Sequence, residues 1–248
     1  MFLTLIYSMN FASNKTNTPR EQIRILIISP MFDSATKVSH RWIETLINFI
    51  KTTPNLNGTA LTGFSASHGN ALRYLENNAY DIVVYFGHGL NDKWLLGLRS
   101  IFSGDQYAKH LGGAIVYTMS CMSLYGFGKI AVDHGAEAYI GSSEPVYGAT
   151  NYPERDYSED FARIWFNEII NLLRGFTVRQ CVEFAVTEMN ETARKYTLLD
   201  LKRGKEMAQR LYHNAKFHGF RGNEYAQIPA VVSKDTVDWS YLNERWKL

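Results

Sequence analysis

The sequence predicts an α/β fold of three layers, α/β/α, built on a mainly parallel central sheet. Short apolar runs of strand length recur at Ile23–Ser29, Asp81–Phe86, Ala114–Ser120 and Glu137–Gly141. Between them lie stretches with apolar residues at helical spacing, and such alternation indicates βαβ units with both sheet faces covered. The 248 residues are 46% hydrophobic and 20% charged, an ordinary globular balance. A domain of that size buries about 70–75% of its unfolded surface, so no disulfide or metal staple is required.

Met1–Ser13 opens with a brief apolar run but has no basic region before it, and it reads as a tail or an added strand rather than a signal peptide. Residues 1–22 are accordingly set apart from one domain over 23–248, whose C-terminal part is helical. Ile23–Ser29 is continuously apolar and ends at Pro30, the pattern of a strand buried on both faces. Ser39–Lys51 carries Trp42, Ile43, Leu46, Ile47 and Ile50 on a helical face, and Pro54, Asn55, Asn57 and Gly58 read as its stop. Ala60–Ala66 is expected as the second strand, followed by a helix capped by Ser67 and running to about Asn77. The third strand, Asp81–Phe86, ends in Gly87-His88-Gly89, and a long excursion over Leu90–Leu111 follows. The fourth strand, Ala114–Ser120, ends at Cys121. A short helix over Gly128–His134, a tight Gly135 and a fifth strand, Glu137–Gly141, come next. Helices are expected over Ser158–Leu173, from Val178 to about Tyr196 and over Leu198–His218. Ile228–Val232 reads as an edge strand, because Pro229 cannot donate to a central ladder.

Charge and cysteine content exclude several classes. Lys plus Arg is 26 against 24 for Asp plus Glu, a net charge of +2, too small for nucleic acid or an anionic membrane as the main partner. The two cysteines, Cys121 and Cys181, exclude a disulfide scaffold and suit a reducing, cytoplasmic setting. No apolar stretch approaches the roughly 18–20 residues that span a bilayer.

Ligands in open α/β sheets bind beyond the carboxyl ends of the strands. His88 falls just past the third strand and Cys121 just past the fourth. On neighbouring strands, imidazole and sulfur would meet at one edge, as a Cys–His hydrolase requires. Gly87 and Gly89 leave an open approach beside the ring. The N–H groups of Gly89 and Cys121 are candidate donors to a developing oxyanion. The plain reading is equally open from position alone: a buried free thiol is usually inert, and a histidine at a strand end is usually just hydrogen-bonded. Cys181, within an amphipathic helix, reads as core. His40, His68, His110, His134, His213 and His218 lack a comparable glycine frame and read as surface or structural.

The segment Tyr80-Asp81-Ile82-Val83-Val84-Tyr85-Phe86-Gly87-His88-Gly89 resembles the His-Gly segment of caspase-fold (clan CD) cysteine peptidases. Ala114-Ile115-Val116-Tyr117-Thr118-Met119-Ser120-Cys121, then Gly126 and Gly135-Ala136 leading to Gly141-Ser142, is similar to their cysteine segment. In style the prokaryotic CHAT-type and other caspase-like proteases are nearest, and the resemblance covers roughly Ile23 to Thr187. It implies Cys121 as nucleophile, His88 as general acid and base, Gly89 and Cys121 as oxyanion donors, and no metal or organic cofactor. No third carboxylate is generally required, and a backbone carbonyl is expected to orient the ring. The implied function is a cysteine endopeptidase acting on protein substrates, in regulated proteolysis such as prokaryotic defence or cell death, with an activating protein partner. The alternative is a caspase-fold scaffold without peptidase activity. An amidotransferase-like hydrolase fits less well, since its cysteine precedes its histidine.

The sequence departs from its relatives at the specificity positions. Metacaspases and clostripain-like enzymes carry Asp two positions before the cysteine, where this chain has Met119. The Gln-Ala-Cys segment and the post-strand Arg of caspases are missing, and Asp33 follows the first strand instead. Asp33 lining the pocket would favour a basic substrate residue, and Met119 a Leu- or Met-like one. Glu144 and Tyr147, beyond the fifth strand, are further substrate-binding candidates. Trp94 reads either as a cover for the cleft or as core. Asp92-Lys93 and Leu98-Arg99 read as possible processing sites or as solvated loop residues.

Overall fold

The computed structural model describes residues 22–97, 101–103, 105–148, 155–199 and 203–233. The expected N-terminal tail and the Leu98-Arg99 pair lie outside the described residues.

Six strands form the central sheet in the order β2-β1-β3-β7-β8-β9. They are β1 (Ile23–Ser29), β2 (Leu56–Thr62), β3 (Ile82–Phe86), β7 (Ile115–Met119), β8 (Ala138–Ser142) and β9 (His218–Gly222). All pairings are parallel except β8–β9, which is antiparallel. Successive side chains of a strand point to opposite faces. Ile23, Ile25 and Ile27 therefore join one core with α1 (Ser34–Thr52), α5 (Arg155–Leu173), α6 (Val178–Leu198) and α7 (Gly204–Phe217). Leu26 and Ile28 join a second core with α2 (His68–Asn77), α3 (Asp105–Ala108) and α4 (Phe127–Asp133). The continuous apolar runs of β1, β3 and β7 are those of strands covered on both faces.

Several elements differ from the sequence reading. Helix α1 begins at Ser34, five positions before the expected start, because Asp33 caps it: the Asp33 carboxylate accepts from the Thr36 N–H at 2.9 Å. The Thr36 hydroxyl in turn accepts from the Asp33 N–H at 3.0 Å, closing a capping box. Strand β2 spans Leu56–Thr62 rather than Ala60–Ala66. Gly58, which reads as a helix stop, sits inside this strand because α1 crosses it. A Cβ there would lie 2.5 Å from Ile50 Cγ2.

The long excursion folds into a separate antiparallel sheet of β4 (His88–Leu90), β5 (Lys93–Leu95) and β6 (Ile101–Ser103). Trp94 at its centre is fully buried, stacks on Tyr85 at 4.5 Å and donates its indole N–H to the Tyr139 hydroxyl at 3.1 Å. It is core and does not cover the cleft.

At the far edge, His218–Gly222 forms β9, although its two glycines weaken any strand signal. A buried contact of His218 Nε2 with the Glu168 carboxyl at 2.8 Å ties the start of β9 to α5. Ile228–Val232, expected as the last strand, is irregular: Val231 and Val232 donate to the Leu173 carbonyl at the end of α5, at 3.0 and 3.2 Å.

Candidate active site

The sheet order makes β1, β3 and β7 consecutive neighbours, so the residues after their carboxyl ends converge. Phe86 of β3 lies beside Met119 of β7. His88 and Cys121 therefore follow the ends of adjacent parallel strands, and both line one cavity of about 100 Å³.

The histidine is held from below and from the side. The buried Tyr85 hydroxyl donates toward the carbonyls of His88 at 2.7 Å and Leu95 at 2.9 Å, anchoring the His88 backbone to the hairpin beneath it. Gly87 is obligatory here, since a Cβ would sit 2.6 Å from the Tyr85 oxygen and 3.0 Å from the Pro30 ring. His88 Nε2 lies 2.7 Å from the Asp33 carboxylate, with the two side chains 38% and 39% exposed. Nδ1 is then the ring nitrogen left for exchange with another group.

Partial burial pushes the Asp33 carboxyl upward. Hydrogen bonds from the Thr36 N–H and hydroxyl and from His88, with the charge of His88, outweigh it and hold the carboxyl below its ordinary range. The structure differs from the sequence expectation in two respects. Asp33 is engaged with His88 and Thr36 and is not among the cavity-lining residues. A carboxylate, rather than a backbone carbonyl, orients the imidazole.

Cys121 stands at a sharp turn. Met122 immediately after it adopts the left-handed conformation, with φ +52°. Such strain costs on the order of 1–3 kcal/mol and persists only where surroundings impose it. Here the Met122 N–H is bound by the Glu144 carbonyl at 3.1 Å and the Leu124 N–H by the Ser142 carbonyl at 3.1 Å. Glu144 thus contributes its backbone, while its exposed side chain is not among the cavity-lining residues. Burial pushes the Cys121 thiol above its ordinary value, partly opposed by the Val146 N–H, which donates to the sulfur at 3.3 Å.

Gly89 closes the back of the turn. Its hypothetical Cβ would lie 2.7 Å from the Cys121 carbonyl oxygen and 2.9 Å from Ser120 Cβ, so the two backbones touch and only glycine fits. Gly89 itself lies in β4, opposite Trp94. Gly126 is fixed likewise by the hairpin turn: a Cβ would collide with the Asn91 carbonyl, which also accepts from the Phe127 N–H at 2.6 Å.

The remaining walls come from α1 and from the loop after β8. Ala35, Thr36, Ser39 and Trp42 present one face of α1, and Val146–Gly148 stand opposite. That loop is clamped by α7. Asn214 accepts from the Tyr147 N–H at 3.0 Å and donates to its carbonyl at 2.7 Å, and His213 Nε2 meets the Pro145 carbonyl at 3.1 Å. Met119 and Tyr147 both line the cavity, as does Trp42, which sequence reasoning assigned only to a core face. Cys181 is fully buried in α6, and burial drives its thiol strongly upward. Among the described residues no cluster of three or more His, Cys, Asp or Glu side chains is arranged to hold a metal ion, and no helix is long and apolar enough to cross a membrane.

No family model matches the sequence, and no curated protein matches it. Solved structures do. The chain is similar to the crystal structure of the Arg-specific cysteine proteinase gingipain R, with a TM-score of 0.53 and 12% identity over 86% of this chain. The fold is caspase-like. A second neighbour, the complex of the pro- and mature domains of RgpB from Porphyromonas gingivalis, has a TM-score of 0.46 and 13% identity over 84% of this chain. The chain spans about half the length of these structures, 49% of each. The caspase-like fold, the mainly parallel six-stranded sheet and the flanking helices agree with the fold class read from the sequence. The CHAT-type subfamily is a finer statement than a fold likeness at this identity carries.

Proposed function

We propose that this chain is a cysteine endopeptidase in which Cys121 is the nucleophile and His88 the general acid and base. One observation carries the reading: His88 and Cys121 follow adjacent parallel strands into one cavity, with the Asp33 carboxylate 2.7 Å from Nε2 of the imidazole. A Cys–His pair whose base is oriented by a third group is the general arrangement of covalent acyl transfer. The fold shared with the cysteine proteinase gingipain R supports the same reaction class.

The chemistry follows from the geometry. With Nε2 held by Asp33, His88 Nδ1 takes the Cys121 proton as the sulfur attacks the scissile carbonyl carbon. The developing oxyanion is met by the N–H groups of Gly89 and Cys121, whose backbones are in contact. Collapse breaks the C–N bond, and the imidazolium returns the proton to the leaving amine, leaving a thioester. Water, deprotonated by the same imidazole, then releases the carboxylic acid and restores the thiol. Burial keeps the resting Cys121 largely protonated at neutral pH, so His88 acts as a base during attack rather than as one half of a preformed ion pair.

The wider setting rests on the motif resemblance: a cytoplasmic CHAT-type or related caspase-like protease of regulated proteolysis, including prokaryotic defence, acting on protein substrates and switched on by a protein partner. The test is cleavage of a diverse peptide library by the wild type, Cys121→Ala and His88→Ala, with cut sites mapped by mass spectrometry. Turnover by the wild type alone is expected. Equal turnover by Cys121→Ala removes Cys121 from the reaction. No turnover by any of the three, with Cys121 inert to thiol reagents, favours the scaffold reading.

A further inference from the structure

The cavity beside Cys121 contains polar side chains, several of which are already bonded within the protein. The Thr36 hydroxyl accepts from the N–H groups of Phe32 and Asp33, each at 3.0 Å, and donates to the Asp33 carboxylate at 2.8 Å. Ser39 donates to the Thr36 carbonyl within its own helix at 3.1 Å. Ser120 is paired with Ser123 at 2.8 Å. The Trp42 indole N–H points away to the Ser158 hydroxyl at 3.1 Å, leaving ring carbons for the cavity. Met119 and Val146 supply the rest, and the Tyr147 ring lies against His213 of α7 at 4.7 Å. Among the described lining residues there is no Asp, Glu, Lys or Arg, and the nearby acid, Asp33, is committed to His88 and Thr36.

From this we infer that the cavity is the primary specificity pocket and takes an uncharged, apolar side chain of Leu or Met size. Met119 and Trp42 are the selecting residues. The inference rests on the proposed peptidase reading for the position of the scissile bond, but the pocket's chemistry stands apart from turnover. A guanidinium or ammonium placed there would lose its water and meet no carboxylate among the described lining residues, a cost far larger than the gain from burying its stem. A substrate carboxylate would likewise meet no Lys or Arg among the described lining residues. This chain therefore differs in the residue it accepts from the Arg-specific proteinase whose fold it shares.

The experiment uses peptidyl acyloxymethyl ketones identical except for the residue next to the ketone: Leu, Met, Phe, Arg or Asp. The Cys121 sulfur displaces the carboxylate leaving group from the methylene carbon, forming a C–S bond as the C–O bond breaks, and the thiol proton goes to buffer. Adduct formation is followed by intact mass on the wild type, with Cys121→Ala as the control for labelling elsewhere. Leu and Met ketones are expected to label Cys121 about 100-fold or more faster than Arg or Asp ketones. Met119→Asp is expected to raise the Arg rate relative to Leu by at least about 10-fold. Met119→Ala, a milder change, is expected to move the preference from Leu toward Phe.

Arg or Asp labelling as fast as Leu overturns the inference, as does failure of every ketone to label. Selective labelling by Leu and Met ketones without cleavage of the matching peptides would leave the pocket standing and defeat the peptidase reading, so the two failures are told apart.

Discussion

Asp33 has two separable duties, and a pair of substitutions divides them. One carboxylate oxygen caps α1 through the Thr36 N–H at 2.9 Å, and the other meets His88 Nε2 at 2.7 Å. Asparagine serves as an N-cap about as well as aspartate, whereas alanine loses the cap at about 0.5–2 kcal/mol. The ion pair itself adds little stability. Its two side chains are 38% and 39% exposed, and pairs of that kind contribute about 0–1 kcal/mol. Asp33→Asn should therefore leave Tm nearly unchanged, and Asp33→Ala should lower it by a few degrees, at about 2–4 °C per kcal/mol for a domain of this size.

Activity should respond differently. With its oxygen kept on Thr36, the asparagine turns its NH2 toward His88, so Nε2 must become an acceptor and the proton moves to Nδ1. That is the nitrogen needed to take the Cys121 proton. Both variants should then lose on the order of 10²–10⁴ in kcat, the usual weight of a positioned acid–base group. Because the folded Asp33 carboxyl is held below its ordinary value, its contribution to stability is present above the unfolded carboxyl range, at about pH 4, and fades as pH falls through the folded value. The gap in Tm between wild type and Asp33→Asn, small at neutral pH, should close on acidification. Thermal melts across pH and steady-state kinetics on a cleaved peptide decide the matter. Full kcat in Asp33→Asn, or equal destabilisation by Asn and Ala, would refute the division of duties.

Two further outcomes are expected. Gly89→Ala places a methyl 2.7 Å from the Cys121 carbonyl oxygen, a backbone atom that cannot turn aside. The strain should cost about 1–3 kcal/mol, and displacement of the retained N–H from its place beside the oxyanion up to about 10²–10³ in kcat, read by denaturant unfolding and by turnover. Alkylation of Cys121 by iodoacetamide in the free protein should still be climbing at pH 9, because burial raises its thiol above the ordinary value despite the Val146 N–H. Peptide mapping should find Cys181 unmodified while the protein stays folded, and a Cys121 rate already level below pH 7 would contradict this assignment.

The central strands were legible because their burial is two-sided. β1, β3, β7 and β8 are short runs of apolar residues whatever their neighbours, and His88 and Cys121 stand out at the ends of two of them. What escaped the sequence depends on contacts between distant segments. β2 is an edge strand whose Gly58 looks like a turn until Ile50 of α1 is placed over it. β9 contains Gly219 and Gly222 and is held by Glu168 from another helix. The excursion after His88 hides a second sheet because its strands are only three residues long.

At the site, Asp33 reads from the sequence as an acid after the first strand and a candidate for the substrate pocket. Its contact with His88 depends on β1 lying beside β3. Strand order, which periodicity does not report, brings residues 33, 88 and 121 together. The clamp of α7 on the Val146 loop is hidden for the same reason.

The proposed reaction passes through a covalent acyl intermediate on Cys121 formed with the help of His88. The most direct measurement is to mix the protein with a cleavable peptide ester, quench in acid within milliseconds to seconds, and read intact mass and modified residue. A transient acyl adduct is expected on Cys121 that decays in the wild type, forms far more slowly in His88→Ala and never forms in Cys121→Ala. Hydrolysis without any adduct, or an adduct that maps to another residue, would contradict it.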